Sequence, residues 1–289
     1  MTSLTPTTAL PLTLAPPMKL QTVPARQGAL WVSQGFRVFL ARPMAFAALF
    51  AAFMFAVLVI ALLPMIGLLL VLALLPLGSL GFMIATREAL EGRMPTPAVF
   101  LVPLRGDKRE RMALLKLGLV YVLCAFAVTA LSNLADGGAF EALMDALPER
   151  QGTPEVTAAK MADAGVGAGL LLRFGLAALL SIPFWHAPAL VHWHGHTCAK
   201  ALFSSTAACW SNKGAFAVYA CAWFAAIMVF GTLTALVFEL FGQAQLLTFV
   251  LAPMSLILST VFYASLYFTF ADSFSVGEPA TLATPSQLI

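Results

Sequence analysis

Charged residues are scarce in this chain of 289 residues: Asp, Glu, Lys and Arg make up only 10% of it, whereas apolar residues make up 61%. A chain with a mean hydropathy of +0.91 has too few polar side chains to cover a water-soluble globule. The net charge of +3 is small, and its distribution does not indicate nucleic-acid binding. The composition therefore excludes a soluble protein and indicates one that lies in a membrane.

No complete catalytic or cofactor-binding motif is present. The zinc-peptidase motif His-Glu-x-x-His is absent, and no histidine lies within the long apolar runs, which excludes a haem held between transmembrane helices. The segment Gly78-Ser79-Leu80-Gly81 contains a serine without a histidine base in any run, so close helix packing is its favoured interpretation. We expect no enzymatic activity and no cofactor.

The chain has instead six long apolar runs. A transmembrane helix needs about 20 apolar residues at a rise of about 1.5 Å to cross the hydrocarbon. None of the runs shows the alternation of an outer-membrane strand. The sequence predicts an all-α integral membrane protein with six transmembrane helices, at 43–62, 65–86, 112–134, 167–185, 215–241 and 246–271.

The basic residues predict the orientation of these helices. Residues 1–42 contain four basic residues and no acid, and the 87–111 connection contains six basic residues. The 135–166 connection contains two basic residues, six acids and no cysteine. Because short loops rich in Lys and Arg stay in the cytoplasm, both termini are predicted to be cytoplasmic. The acidic connection is then external, and no disulfide framework is expected there.

The two ends of the chain differ in composition from the middle. Residues 1–24 are rich in Thr and Pro and lack a signal-peptide pattern, so we expect disorder, with Met18 as an alternative start. Residues 25–271 are predicted to form a single membrane domain, and 272–289 a disordered tail. Within the acidic connection, a short helix is expected at 154–163.

Residues 25–42 and 197–213 are predicted to form amphipathic helices in the headgroup plane on the cytoplasmic side. In each segment basic or polar side chains occupy one arc of the helical wheel and aromatic or aliphatic ones the opposite arc. The residues expected at the lipid interface are Trp31, Arg37, Arg42, Trp210 and Lys213.

Each amphipathic segment precedes one span and then a second span that contains a proline, Pro76 in the first hairpin and Pro253 in the second. This order indicates either a parallel internal repeat or a chance likeness between apolar segments.

All four histidines lie in the window HAPALVHWHGH. On a helix His192 and His196 share a face, as do His194 and Cys198, and these ligand types suit zinc, copper or nickel. Gly195 interrupts such a helix, and no carboxylate lies nearby in the sequence to orient an imidazole. A membrane-interface segment is therefore the favoured interpretation, and a metal site formed by these four residues is the alternative.

Arg173 and Glu239 are ionisable residues within the predicted spans, both near the outer side. Pairing would lower the cost of placing each charge in lipid. The pair is either a structural clamp or a polar element of a solute or ion pathway.

Five stretches of the chain carry a family resemblance: MKLQTVPARQGALWVSQGFRVF from Met18, SLGFMIATREALEG from Ser79, PFWHAPALVHWHG from Pro183, ALFSSTAACWSNKGAF from Ala201 and STVFYASLYFTFADSF from Ser259. With these stretches the chain resembles an uncharacterised integral-membrane protein family of betaproteobacteria. The resemblance covers nearly all of the chain from Met18 to Phe274. It implies a bacterial inner-membrane location, and it brings no activity or catalytic residue with it.

The favoured function is that of a non-enzymatic inner-membrane protein that acts through lipid or partner contact. Its expected partners are the phospholipid bilayer, including anionic headgroups near the basic 87–111 connection, and a membrane protein or a second copy of the chain. The alternatives are a small-solute or ion transporter that uses Arg173 and Glu239, and a metal-binding protein that uses the histidine cluster.

Overall fold

A computed structural model describes residues 18–138, 164–242 and 247–276, which are almost entirely helical. The predicted helix at 154–163 lies outside the described residues. In chain order the elements are β1 Met18–Leu20, α1 Gln27–Ala41, α2 Pro43–Ala61, α3 Gly67–Leu90, a 3₁₀ helix Pro97–Arg105, α4 Lys108–Asp136, α5 Ala164–Phe184, α6 Ala187–His194, α7 Cys198–Ser211, α8 Lys213–Leu240, α9 Leu247–Ser273 and β2 Phe274–Val276.

Six helical stretches match the predicted spans, and each is long and apolar enough to cross a membrane: α2, α3, α4, α5 together with its continuation α6, α8 and α9. The prediction of an all-α, multi-pass membrane protein is confirmed. Several helices extend past the apolar runs, because polar residues can continue a helix outside the hydrocarbon. We call the end of the bundle at which α2, α4 and α8 begin, and α3, α5 and α9 end, the basic end.

Helix α1 lies at the basic end and packs mainly against α8 and α9. Its apolar face is covered by protein: Trp31 is 0% exposed, and its ring lies 5.3 Å from that of Phe216. Its indole Nε1 donates a hydrogen bond of 2.7 Å to Oδ2 of Asp272. The predicted helix is therefore present, but Trp31 does not contact lipid, because two spans occupy the space that headgroups were expected to fill.

Helix α7, the second predicted amphipathic helix, packs mainly against α5 and α6. Trp210 on this helix is 72% exposed, in contrast to Trp31. The order of surface helix, span and proline-bearing span does recur in the structure. The two surface helices are nevertheless packed differently, since α1 contacts the second hairpin and α7 contacts the central span α5.

The ordered structure extends beyond the predicted limits of the membrane domain. Strands β1 and β2 pair in antiparallel fashion, with Lys19 opposite Ser275. Asn212 stabilises this arrangement, since its Oδ1 accepts from the backbone N–H of Val23 at 2.8 Å and its Nδ2 donates to the Gln21 carbonyl at 2.9 Å. Segments predicted as disordered are thus ordered where the two ends of the chain supply backbone partners to each other.

The connection between α3 and α4 contains a 3₁₀ helix that was predicted only as a basic loop. Its Phe100 ring stacks on Phe53 of α2 at 5.7 Å and meets the edge of Phe82 of α3 at 5.3 Å. Gly81 of α3 makes room for this ring, because a Cβ at that position would overlap the Phe100 side chain. The connection therefore covers α2 and α3 and ends directly at the start of α4.

Candidate functional site

A cavity of about 1020 Å³ opens at the basic end, between the start of α4 and the connection from α6 to α7. We call it the basic-end cavity. Its lining combines three basic residues, two acids, two histidines and a cysteine with small or apolar residues. The polar lining residues are Lys108, Arg109, Lys116, Asp107, Glu110, His192, His196, Thr197 and Cys198.

The first wall of the cavity is the amino-terminal turn of α4. Asp107 adopts an extended backbone conformation, and its Oδ1 accepts a hydrogen bond of 2.7 Å from the Glu110 N–H. An acid in this position caps the helix and offsets the positive end of its dipole. The N–H groups of Lys108 and Arg109, in the same turn, have no partner within the helix, and both residues line the cavity.

The second wall is the short connection from α6 to α7. Gly195 ends α6 with a φ of 62°, a left-handed conformation that glycine adopts without strain. The N–H of His196 then donates to the Leu190 carbonyl at 3.3 Å, which holds the turn against α6. Thr197 caps α7 by accepting from the Lys200 N–H at 3.4 Å. The start of a second helix thus lies at the same cavity.

His192 and Glu110 join the two walls. Nδ1 of His192 lies 2.6 Å from Oε1 of Glu110, and both side chains are mostly buried. The carboxylate that the sequence did not place near the histidines therefore comes from the start of α4, 82 residues away. The sequence could have indicated this contact, because Glu110 lies in the first turn of a helix at the same predicted membrane face as the histidines.

His196 is the most buried polar side chain of the cavity lining, with 9% of its surface exposed. Its Nδ1 is buried and accepts or donates no hydrogen bond within the described residues. Burial lowers the pKa of His196, and the charges of Lys200 and His194 lower it further. The ring is consequently neutral at pH 7 and has an unused hydrogen-bonding atom.

Burial also acts on Cys198, whose thiol pKa is raised, and the nearby Lys116 ammonium only partly opposes this shift. Cys198 is therefore a thiol rather than a thiolate at pH 7. A thiol is a poor metal ligand and a poor nucleophile, because both roles need the deprotonated sulfur.

The four residues of the predicted metal site do not form a ligand cluster. His192, His196 and Cys198 line the same cavity, and the His194 ring lies between Phe270 and His196, with ring centroids 6.0 Å and 6.3 Å apart. Across residues 18–138, 164–242 and 247–276, no group of three or more His, Cys, Asp or Glu side chains is placed to hold a metal ion. The structure thus brings the four residues to one end of the bundle, without arranging three of them as a ligand cluster.

Arg173 is bound by α4 rather than by Glu239. Its Nη2 donates to Oδ1 of Asn133 at 2.5 Å and lies 4.0 Å from Oδ2 of the buried Asp136. Glu239 is exposed on α8, and no ion pair joins it to Arg173 in the part of the chain that the structure describes. The expected pair is replaced by a contact between α4 and α5, which the three-residue spacing of Asn133 and Asp136 at the end of a span could have indicated.

The other residues expected at the lipid interface lie on the surface of the basic end or close to it. Arg37, Trp210 and Lys213 are exposed, and Arg42 is partly buried. Nη2 of Arg42 donates to the Gly92 carbonyl at 2.8 Å, so this side chain connects the α1–α2 junction to the end of α3.

A probable inner membrane protein of Burkholderia thailandensis is 33% identical to this chain over 270 residues, which cover 93% of this chain and 98% of the relative. No family model matches the chain, and no solved structure matches it. The name of the relative gives a membrane location without an enzymatic activity. Beyond this membrane location, the geometry of the basic end is the remaining indication of function.

Proposed function

This chain belongs to the same family of bacterial inner-membrane proteins as its relative in Burkholderia thailandensis, and we propose, from the geometry of its basic end, that it is a non-enzymatic protein that acts through contact with anionic phospholipid headgroups. In this proposal the basic end faces the cytoplasm. Among the described residues every Lys and Arg except Arg173 lies at that end, and basic side chains there outnumber acidic ones. This distribution favours a cytoplasmic position.

The junction of α7 and α8 carries the proposal. Trp210 is 72% exposed, and Nζ of Lys213 lies 5.3 Å from the centroid of its ring. An exposed indole beside a cation is typical of a membrane–water boundary, where the ring lies among headgroups and the cation binds phosphate. Between them, the buried Asn212 bonds to the amino-terminal segment and so fixes the junction in place.

The α1–α2 junction supplies a second basic contact at the same end. Arg37 is exposed on α1, and Arg42 is held against the end of α3. Each basic residue near an anionic membrane surface contributes about 1 kcal/mol. The two junctions together would favour anionic over zwitterionic lipid.

The test compares the thermal unfolding midpoint of the purified protein in nanodiscs of phosphatidylcholine with and without phosphatidylglycerol. We expect phosphatidylglycerol to raise the midpoint, and we expect the double variant Arg37→Gln, Lys213→Gln to lose most of this increase. The matched control, Arg37→Lys with Lys213→Arg, keeps both charges and should keep the increase. Equal midpoints of the unmodified protein in the two lipid compositions would refute the proposal.

A further inference from the structure

Three basic side chains line the basic-end cavity without an acidic partner. Lys108 and Arg109 lie at the start of α4, and Lys116 lies about 12 Å further along the helix, at the stated rise of about 1.5 Å per residue. None of the three forms an ion pair within the described residues. The side chains at the far side of the cavity include Cys198, close enough to Lys116 for the ammonium to act on its thiol. The positive charge therefore lies along the α4 wall and faces the α6–α7 connection.

The two acids of the lining are already engaged. Asp107 caps the first turn of α4 through the Glu110 N–H, and Glu110 is paired with His192 at 2.6 Å. Neither carboxylate forms an ion pair with the three cations among the described residues. The basic side chains of the lining outnumber the two acids, and the positive end of α7, whose first turn contains no acid, adds to their charge.

His196 gives an independent indication of a ligand. A buried polar atom without a partner costs free energy, so native proteins seldom leave one unless something else binds it. Nδ1 of His196 is such an atom: it is shielded from solvent on a side chain that is 91% buried (9% exposed) and belongs to the cavity lining, so a ligand reaches it when the ring turns toward the cavity. The ring can offer one N–H donor while neutral and two when it is protonated beside an anion.

We propose that the basic-end cavity is a binding site for a phosphate group, held by Lys108, Arg109 and Lys116 together with a hydrogen bond from His196. The site lies apart from the exposed junction residues that carry the proposed function, and it goes beyond that function by naming a discrete ligand. The phosphate belongs either to the headgroup of an anionic phospholipid or to a soluble phosphate compound. Both sources present the same oxygen acceptors to the same donors.

The donor set favours phosphate over other ligands. A metal ion would be repelled by the three cations, and its best ligand, the Glu110 carboxylate, is paired with His192. A neutral solute would not use the positive charge. A phosphate accepts several charge-assisted hydrogen bonds at once, from side chains and from the free N–H groups of a helix start.

The test titrates inorganic phosphate into the full-length protein in phosphatidylcholine nanodiscs at constant ionic strength, with calorimetry and the unfolding midpoint as readouts. A second arm replaces inorganic phosphate by phosphatidylglycerol in the nanodisc. We expect Lys108→Gln with Arg109→Gln to weaken binding about tenfold in whichever arm supplies the ligand. The matched control is Arg105→Gln with Arg111→Gln, which removes two charges from the same exposed segment but from residues outside the cavity lining. This control should weaken binding by about twofold or less.

Each arm identifies a source. An effect of inorganic phosphate that depends on the lining residues assigns a soluble phosphate compound, and an effect of phosphatidylglycerol alone assigns a lipid headgroup. Absence of binding in both arms, or equal losses in the two double variants, would overturn the proposal. If the variant Lys108→Gln with Arg109→Gln does not unfold cooperatively, the single variants Lys116→Gln and His196→Asn replace it. Each should weaken binding more than the Arg105→Gln, Arg111→Gln control does. The Arg37→Gln, Lys213→Gln variant tests the proposed function alone, because neither residue lines the cavity.

Discussion

Gly28 lies where α1 crosses α8, and the backbones approach so closely that a Cβ at this position would overlap the Ala215 carbonyl and the Tyr219 amide. Because backbone atoms cannot move aside as a flexible side chain can, we expect Gly28→Ala to lower the free energy of unfolding by about 1–3 kcal/mol. Thermal unfolding in detergent measures this change.

The control for Gly28 is Gly231 in α8, a helical glycine with no other atom within 4 Å of a built Cβ. There the change to alanine meets no obstacle and improves helix propensity, so Gly231→Ala should be neutral or stabilising by up to about 1 kcal/mol. Similar losses of stability in both variants would show that α1 does not pack against α8 as described.

His196 makes stability depend on pH. Its pKa is lowered in the folded protein by burial and by the charges of Lys200 and His194, whereas the unfolded chain keeps the ordinary value of 6.5. The unfolded state therefore binds more protons below that value, and stability falls as the pH drops through it. We expect the unfolding midpoint to decrease between about pH 7.5 and 5.5, and His196→Asn to reduce this decrease. A decrease that is unchanged in the variant would assign the effect to other groups.

Individual contacts were the least predictable features. A helical wheel correctly placed Trp31 on the apolar face of α1, but it cannot tell whether lipid or protein covers that face. The partner of Arg173 was predicted on the wrong helix, since depth in the membrane does not specify which neighbour a side chain meets. Both outcomes depend on how helices are arranged around each other, which no local pattern encodes.

Elements were far more predictable than contacts. The length and polarity of the apolar runs predicted all six spans, and helical periodicity predicted both surface helices. The 3₁₀ helix was missed because Pro97 and Pro103 interrupt any regular period. Its position depends instead on Phe100 meeting Gly81, two residues that are distant in the sequence.

The 3₁₀ helix should therefore detach when Phe100 is shortened. Phe100→Ala removes the ring that stacks on Phe53 at 5.7 Å and meets Phe82 at 5.3 Å, and loss of a partly buried aromatic side chain costs on the order of 1–3 kcal/mol. Local opening should expose the backbone after Arg105, so we expect trypsin to cleave there about tenfold faster.

Leu101 provides the control for Phe100, since it is the adjacent residue of the same 3₁₀ helix and is 48% exposed. Leu101→Ala should leave the rate of cleavage after Arg105 within about twofold of that of the unmodified protein, because less packing is lost at an exposed position. Equal acceleration by the two variants would contradict the role given to the Phe100 ring.

At the scale of the whole molecule, lipid takes the place that a second layer of protein has in a soluble fold. Helix α8 illustrates this, since only 6% of its most apolar stretch is buried by protein. Large side chains such as Phe224 and Leu236 are exposed. Within a bilayer these surfaces need no protein partner, and packing is concentrated where small residues let helices approach. Close packing of this kind joins α1 to α8 and to α9 near the basic end.

The pairing of β1 with β2 places the start and the end of the described chain on the same side of the bundle. The positive-inside rule then predicts that this side is cytoplasmic. Alkaline phosphatase folds only outside the cytoplasm, so a fusion after Gly138, at the opposite end of α4, should be active and a fusion after Gly92 inactive. Green fluorescent protein fused after Ile289 should fluoresce. Active phosphatase after Gly92, with inactive phosphatase after Gly138, would reverse the orientation and place the basic-end cavity on the external side. This experiment therefore tests the cytoplasmic position of the basic end that the proposed function assumes.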